Sequence, residues 1–290
     1  MRLTILLICS QIFTLISAAA MFMVLLSGGL KKPDKKGLLL FLAGAIVYML
    51  TPYHVYIVTV EANKADIIVW AVFPILVAAG KCIKDEKLAV KIVSSLVVGV
   101  CLGIIGREDG FLCILIVFLL IALIIIEKDF WYVLSGILGL ALACKTFLTW
   151  KHWIFDGCFA ESGLEAGSIM SKGLSIGGLF STYFYRNNRI GMGILIFLMI
   201  LLTIYLAFVR RENIFLKRDK LWIIVSVLLT LCSLKYFPWD YVERFGTPFL
   251  YLVSLIDSPA RFLNYACMIM CPLLVVRLSQ YLCKDMKNDK

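Results

Sequence analysis

Apolar residues in this chain run in long unbroken stretches instead of alternating with polar ones. Such runs cover about residues 3–30, 37–60, 66–80, 88–106, 111–126, 130–144, 190–209, 221–234 and 263–283. Period-2 alternation is missing from them, so they do not read as barrel strands. In lipid each unpaired backbone group costs several kcal/mol, which leaves the helix as the spanning form. The pattern therefore predicts an all-α, polytopic integral membrane protein of about nine transmembrane helices, forming one transmembrane domain over residues 1–290. A re-entrant or interfacial outer segment is expected near 236–262.

Composition strengthens this picture. The 290 residues are 62% apolar and 17% charged, whereas soluble domains carry about 25% charged residues. The mean hydropathy is +0.95. A net charge of +10 would be a footprint on a nucleic-acid binder, but here it is the usual basic excess of cytoplasmic loops, and no nucleic-acid partner is expected. Four lysines lie in 31–36, three in 81–87 and five basic residues in 210–220, with Lys284, Lys287 and Lys290 in the tail at 284–290. The connectors Glu61 to Asp66 and Arg107 to Gly110 are acidic or balanced and fall on the opposite side. The N-terminus is expected outside and the C-terminus in the cytoplasm. Ala18, Ala19 and Ala20 would also suit a signal-peptide cleavage site, but the apolar run continues through Leu25, Leu26 and Leu30 to the lysines, which favours a retained span. The ten cysteines read mostly as small apolar fillers of spans, with Cys158 in an outer loop. Cys267 and Cys271 are four apart on one helical face, yet no histidine or acid joins them, so no structural metal is expected.

Charges within or beside spans are costly and mark candidate function. The second span ends at Thr51-Pro52-Tyr53-His54, because proline cannot continue the helical ladder. Asp66 opens the third span, where the helix dipole favours an acid, and Pro74 is expected to kink that span. Arg107, Glu108 and Asp109 form the next outer turn. Between Tyr236 and Phe262, aromatic residues including Phe237, Trp239 and Tyr241 surround Asp240, Glu243, Arg244, Asp257 and Arg261. That segment reads as an interface belt or as a lipid-phosphate site. Ser258 can cap the last helix, Pro259 suits its first position, and Arg261 follows at the membrane surface. Lys91 and Arg277 lie near cytoplasmic span ends, where snorkelling accounts for both. The outer loop at 145–189 is glycine-rich and holds His152 and Asp156 as a weak acid–base pair.

Leu50-Thr51-Pro52-Tyr53, the polar stretch after it and the apolar helix with Phe73-Pro74 resemble a segment of the bacterial YfhO-like and pyruvoyl-tetrahydropterin-synthase-related multi-pass membrane proteins. Phe237-Pro238-Trp239, followed by Ser258-Pro259-Ala260-Arg261-Phe262-Leu263, resembles the second signature of that group. The likeness is to the C-terminal part of the family. His54 stands where the family pattern has an arginine and Glu61 where it has another, while Tyr53, Asp66, Trp239 and Arg261 carry over. That group is similar to GT-C membrane glycosyltransferases, which take a sugar from a polyprenyl-phosphate carrier on the outer side of the membrane. The resemblance implies a bacterial plasma-membrane protein acting in cell-envelope glycan assembly.

Glycosyl transfer needs a carboxylate to deprotonate the acceptor hydroxyl and cations to stabilise the departing phosphate. Asp66 and Asp109 are the candidate bases. Arg107, Arg244 and Arg261, with Tyr53, His54, Trp239 and Asp240, are the candidate groups for the lipid phosphate and its sugar. The expected partners are membrane lipid and a polyprenyl-phosphate-linked sugar. No cofactor is expected, and a divalent cation at the phosphate stays open. The alternative is a non-catalytic scaffold, accessory subunit or truncated remnant that binds lipid phosphate. A transporter ranks third, since the chain shows no internal repeat.

Overall fold

The computed structural model describes residues 2–27, 35–61, 64–84, 87–108, 115–118, 120–121, 124–125, 129–155, 173–181, 191–208, 217–242 and 259–288. All named elements among them are helical. In chain order they are α1 (Arg2–Ser27), α2 (Lys35–Met49), α3 (Pro52–Tyr56) continuing into a π-helical turn (Ile57–Glu61), α4 (Lys64–Cys82), α5 (Leu88–Glu108), α6 (Trp131–Phe155), α7 (Ile176–Leu179), α8 (Gly193–Phe208), α9 (Lys217–Cys232), α10 (Trp239–Val242) and α11 (Arg261–Asn288). Extended pairing among the described residues consists of a single bridge, Leu174 to Leu234.

Four of these helices contain segments long and apolar enough to cross a membrane: Ile8–Leu26, Lys64–Cys82, Leu88–Glu108 and Arg261–Tyr281. A fifth crossing is reached if the bent pair Leu39–Met49 and Pro52–Thr59 is one span. Trp131–Cys144 and Gly193–Tyr205 are apolar but shorter. The count of nine is therefore not reached among the described residues, and the run expected at 111–126 is described only as helical pieces at 115–118, 120–121 and 124–125.

The chain forms two compact units. The first comprises Met1–Leu25 and Ala62–Gly163, and the second Leu26–Glu61 and Leu164–Lys290.

Within the first unit, α4 and α5 form an antiparallel hairpin, and α5 packs along α6. Two stripes of small residues explain how closely α5 and α6 approach. Ser95, Gly99 and Gly103 recur every four residues on α5, as do Ser135, Gly139 and Ala143 on α6. A Cβ at Gly139 would stand 2.5 Å from the Leu102 Cβ, and one at Gly99 would stand 2.7 Å from Leu138 Cδ2. Without water to drive association in lipid, such close backbone packing is what joins membrane helices. The seam is closed by hydroxyls: Ser95 Oγ and Ser135 Oγ both donate to the Trp131 carbonyl, at 3.0 and 2.9 Å. Since Ser95 faces Ser135 and Gly103 faces Leu142, α5 and α6 run parallel. Tyr132 Oη donates to the Gly80 carbonyl near the end of α4. On α1, Ser17 Oγ reaches the Ala71 carbonyl of α4 at 2.9 Å, three residues before the buried Pro74, which lies inside the continuous helix.

In the second unit, α11 is the core. Of its membrane-length segment 78% is buried, against 28% for that of α1, so α11 is enclosed by protein and α1 is not. Helices α2, α8 and α9 pack on it. Near its last third Arg277 meets Asp219 in the first turn of α9, with Nε 2.7 Å from Oδ2 and a second guanidinium nitrogen 2.9 Å from Oδ1. Gln280 Oε1 accepts a further hydrogen bond, from another guanidinium nitrogen, at 2.6 Å. The snorkelling expected of Arg277 is thus corrected: its guanidinium is turned to a buried carboxylate within reach, which satisfies its donors away from water.

Candidate functional site

The end of the second unit opposite the Asp219–Arg277 pair is built from four polar segments. In the first, α2 stops at Met49 and the chain resumes at Pro52 with a bend of 57°. Thr51 takes the extended conformation (φ −57°, ψ 131°) that a following proline imposes. The carbonyls stranded at the break are taken by side chains. Thr51 Oγ1 donates to the Tyr48 carbonyl at 2.8 Å. His54 Nδ1 lies 2.9 Å from the Met49 carbonyl, and because a carbonyl can only accept, Nδ1 carries the proton. His54 is almost fully buried. Tyr53 is half-buried and meets Tyr56 edge-on.

The second segment seats the first. The Pro52 ring occupies the space that a Cβ on Gly193 would need, and Gly193 has φ +82°, a conformation that glycine alone adopts freely. One residue earlier, Met192 N–H donates to the Leu179 carbonyl at 2.9 Å. Gly191 lies against the carbonyls of Gly178, Leu179 and Ser181, where no side chain fits. The short helix α7 is capped by Ser175, whose Oγ accepts from Gly178 N–H at 3.1 Å.

From α7 the contacts lead to the third segment. Leu174 N–H donates to the Ser233 carbonyl at 2.8 Å, and Lys235 N–H returns to the Leu174 carbonyl at 2.9 Å. Gly173 permits this approach, since a Cβ there would lie 2.5 Å from the Lys235 nitrogen. Trp239 then anchors the turn after α9. Its Nε1–H donates to the Cys232 carbonyl at 3.0 Å, Phe237 tilts against it, and its ring stacks on Phe262 with centroids 5.2 Å apart and planes 15° from parallel. Phe262 follows Arg261, the half-buried first residue of α11.

A continuous path of contacts therefore runs from Thr51-Pro52 through Gly193, Leu179, Leu174 and Lys235 to Trp239 and Phe262. It brings Tyr53, His54, Trp239 and Arg261 to one end of one unit. Asp66 and Arg107 belong to the other unit, where the antiparallel α4–α5 hairpin puts them at the same end. Asp66 is buried at 4% exposure, and Arg107 is exposed in the last turn of α5. Asp109, Arg244 and Ser258 lie outside the described residues, as does the side chain of Asp240; Asp156 and the side chain of His152 do too.

Sequence reasoning missed Gly173, Gly191 and Gly193 as the residues that let these segments touch. The Gly191-Met192-Gly193 spacing at the head of an apolar helix was the available signal.

The fold defines a class: a helical protein whose apolar helices suit a membrane. Beyond that class, the chain matches no known protein family, no curated protein and no solved structure.

Proposed function

We propose that the protein holds a polyprenyl-phosphate-linked sugar at the outer face of a bacterial plasma membrane, as the C-terminal part of a GT-C-like glycosyltransferase does. The observation that supports this reading is the contact path joining residues 51–54 to residues 259–262. The two segments that carry the family resemblance lie about 200 residues apart in sequence, yet a chain of contacts links them within one unit. In this reading Arg261 takes the phosphate and Arg244 adds positive charge, while Asp66, Asp109 and Arg107, in the first unit, remain the base and cation candidates of the sequence. His54, with Nδ1 engaged by Met49, supports the helix break.

A second reading is a membrane scaffold that binds lipid phosphate without catalysis. The burial of Asp66 favours it, since a base must reach its substrate. The deciding experiment uses the full chain in nanodiscs, with polyprenyl phosphate as probe and its sugar-charged form as substrate. Arg261→Gln is expected to weaken binding of the phosphate about tenfold, the worth of a charge-assisted hydrogen bond. Unchanged binding removes both readings. If binding stands but Asp66→Asn and Asp109→Asn leave sugar transfer unaltered, the catalytic reading falls and the scaffold remains.

A further inference from the structure

We propose that the elbow between α2 and α3 is a joint of the second unit, held closed by side-chain clasps from His54 and Thr51. In an uninterrupted helix each carbonyl is held by the main-chain N–H four residues on, so bending anywhere breaks the ladder. At the elbow Pro52 has no N–H to give, and the ladder is already interrupted. The Tyr48 carbonyl accepts from Thr51 Oγ1 at 2.8 Å and more loosely from Thr51 N–H at 3.4 Å. The Met49 carbonyl accepts from His54 Nδ1 at 2.9 Å. These side-chain bonds can be released by rotation about χ1 while both flanking helices keep their own hydrogen bonds.

The arm beyond the elbow is also wound irregularly. Residues Ile57–Glu61 form a π-turn, a local widening that recurs at functional positions in helices. Within it Thr59 Oγ1 donates back to the Val55 carbonyl at 2.7 Å. The seat of the arm is Gly193, against which the Pro52 ring rests. Movement at the elbow therefore passes directly to residues 191–193 and along the hydrogen bonds to Leu179, Leu174 and Lys235. The joint is coupled to the end of the unit where Trp239 and Arg261 lie, and the inference stands whether or not a lipid phosphate binds there.

The test uses the full chain in nanodiscs. Its two histidines, His54 and His152, make a nitrogen-15 histidine spectrum assignable with His152→Gln. A proton on Nδ1 of His54 is expected, and a bare Nδ1 overturns the clasp. Hydrogen exchange then reads the joint itself. Amides of residues 50, 51 and 53–56 are expected to exchange at least tenfold faster than those of residues 265–271 in α11, and equally slow exchange overturns the proposal. His54→Ala should accelerate the elbow amides a further tenfold. His54→Asn should restore them, because its amide nitrogen stands where Nδ1 does. Thr51→Val against Thr51→Ser gives the same contrast if His54→Ala fails to fold. Removal of either donor without effect, or failure of Asn and Ser to rescue, overturns the proposal.

Discussion

Asp219 and Arg277 each remove a charge from water, a cost of several kcal/mol per ion that close and multiple hydrogen bonds offset. The pair is 3% and 11% exposed in its side chains, so a lone survivor would be left without solvent. Arg277→Leu is expected to destabilise the protein by about 3–5 kcal/mol, measured by denaturation in detergent micelles. Exchanging the two as Asp219→Arg with Arg277→Asp should recover part of that loss, and replacing both by leucine should come near to neutral. Trp239 obeys a milder rule. Trp239→Phe keeps the ring stacked on Phe262 but strands the Cys232 carbonyl, a loss of about 1 kcal/mol visible in the same measurement. Individual residues of the site were partly legible in the sequence. Pro52 announced the break, because proline lacks the donor wherever it stands. Asp219 did not announce its partner, because a charge shows its sign in sequence but not which distant helix brings the opposite one.

At the scale of elements, the α5–α6 seam depends on what is missing from its glycines. Gly103→Leu should drive a side chain into Leu142 and cost about 1–3 kcal/mol of stability, as overpacking does. Gly136→Ala on α6, with nothing within 4 Å of the added carbon, should instead stabilise by about 0.5–1 kcal/mol through helix propensity. Thermal denaturation of the two variants side by side checks both signs. Helix positions followed directly from apolar run length: the runs at 88–106 and 263–283 became α5 and α11 with ends shifted by a few residues. The run at 37–60 did continue past Pro52, but taking the proline as the end of the span hid the resumption as α3. Run length did not show which helices would pair, although Gly99-x-x-x-Gly103 carried that signal. Apolar length measures fit to lipid, whereas pairing is set by the few positions small enough to admit a neighbouring backbone.

For the whole molecule, reading the basic connectors as cytoplasmic predicts a C-terminus inside and an N-terminus outside, an arrangement that needs an odd number of crossings. A tag after Lys290 is therefore expected to react with antibody only after cells are permeabilised, and one before Met1 in intact cells; reaction of both under the same condition refutes it. The parallel course of α5 and α6 bears on that parity. Two neighbouring helices that point the same way cannot be joined by a tight turn, so the chain leaving Glu108 must travel back the full length of α5 before Asp129. The described residues between them, 115–118, 120–121 and 124–125, are helical. The glycine seam thus acts as a tally mark: by fixing direction, it commits the polypeptide to an additional passage between the two helices it joins.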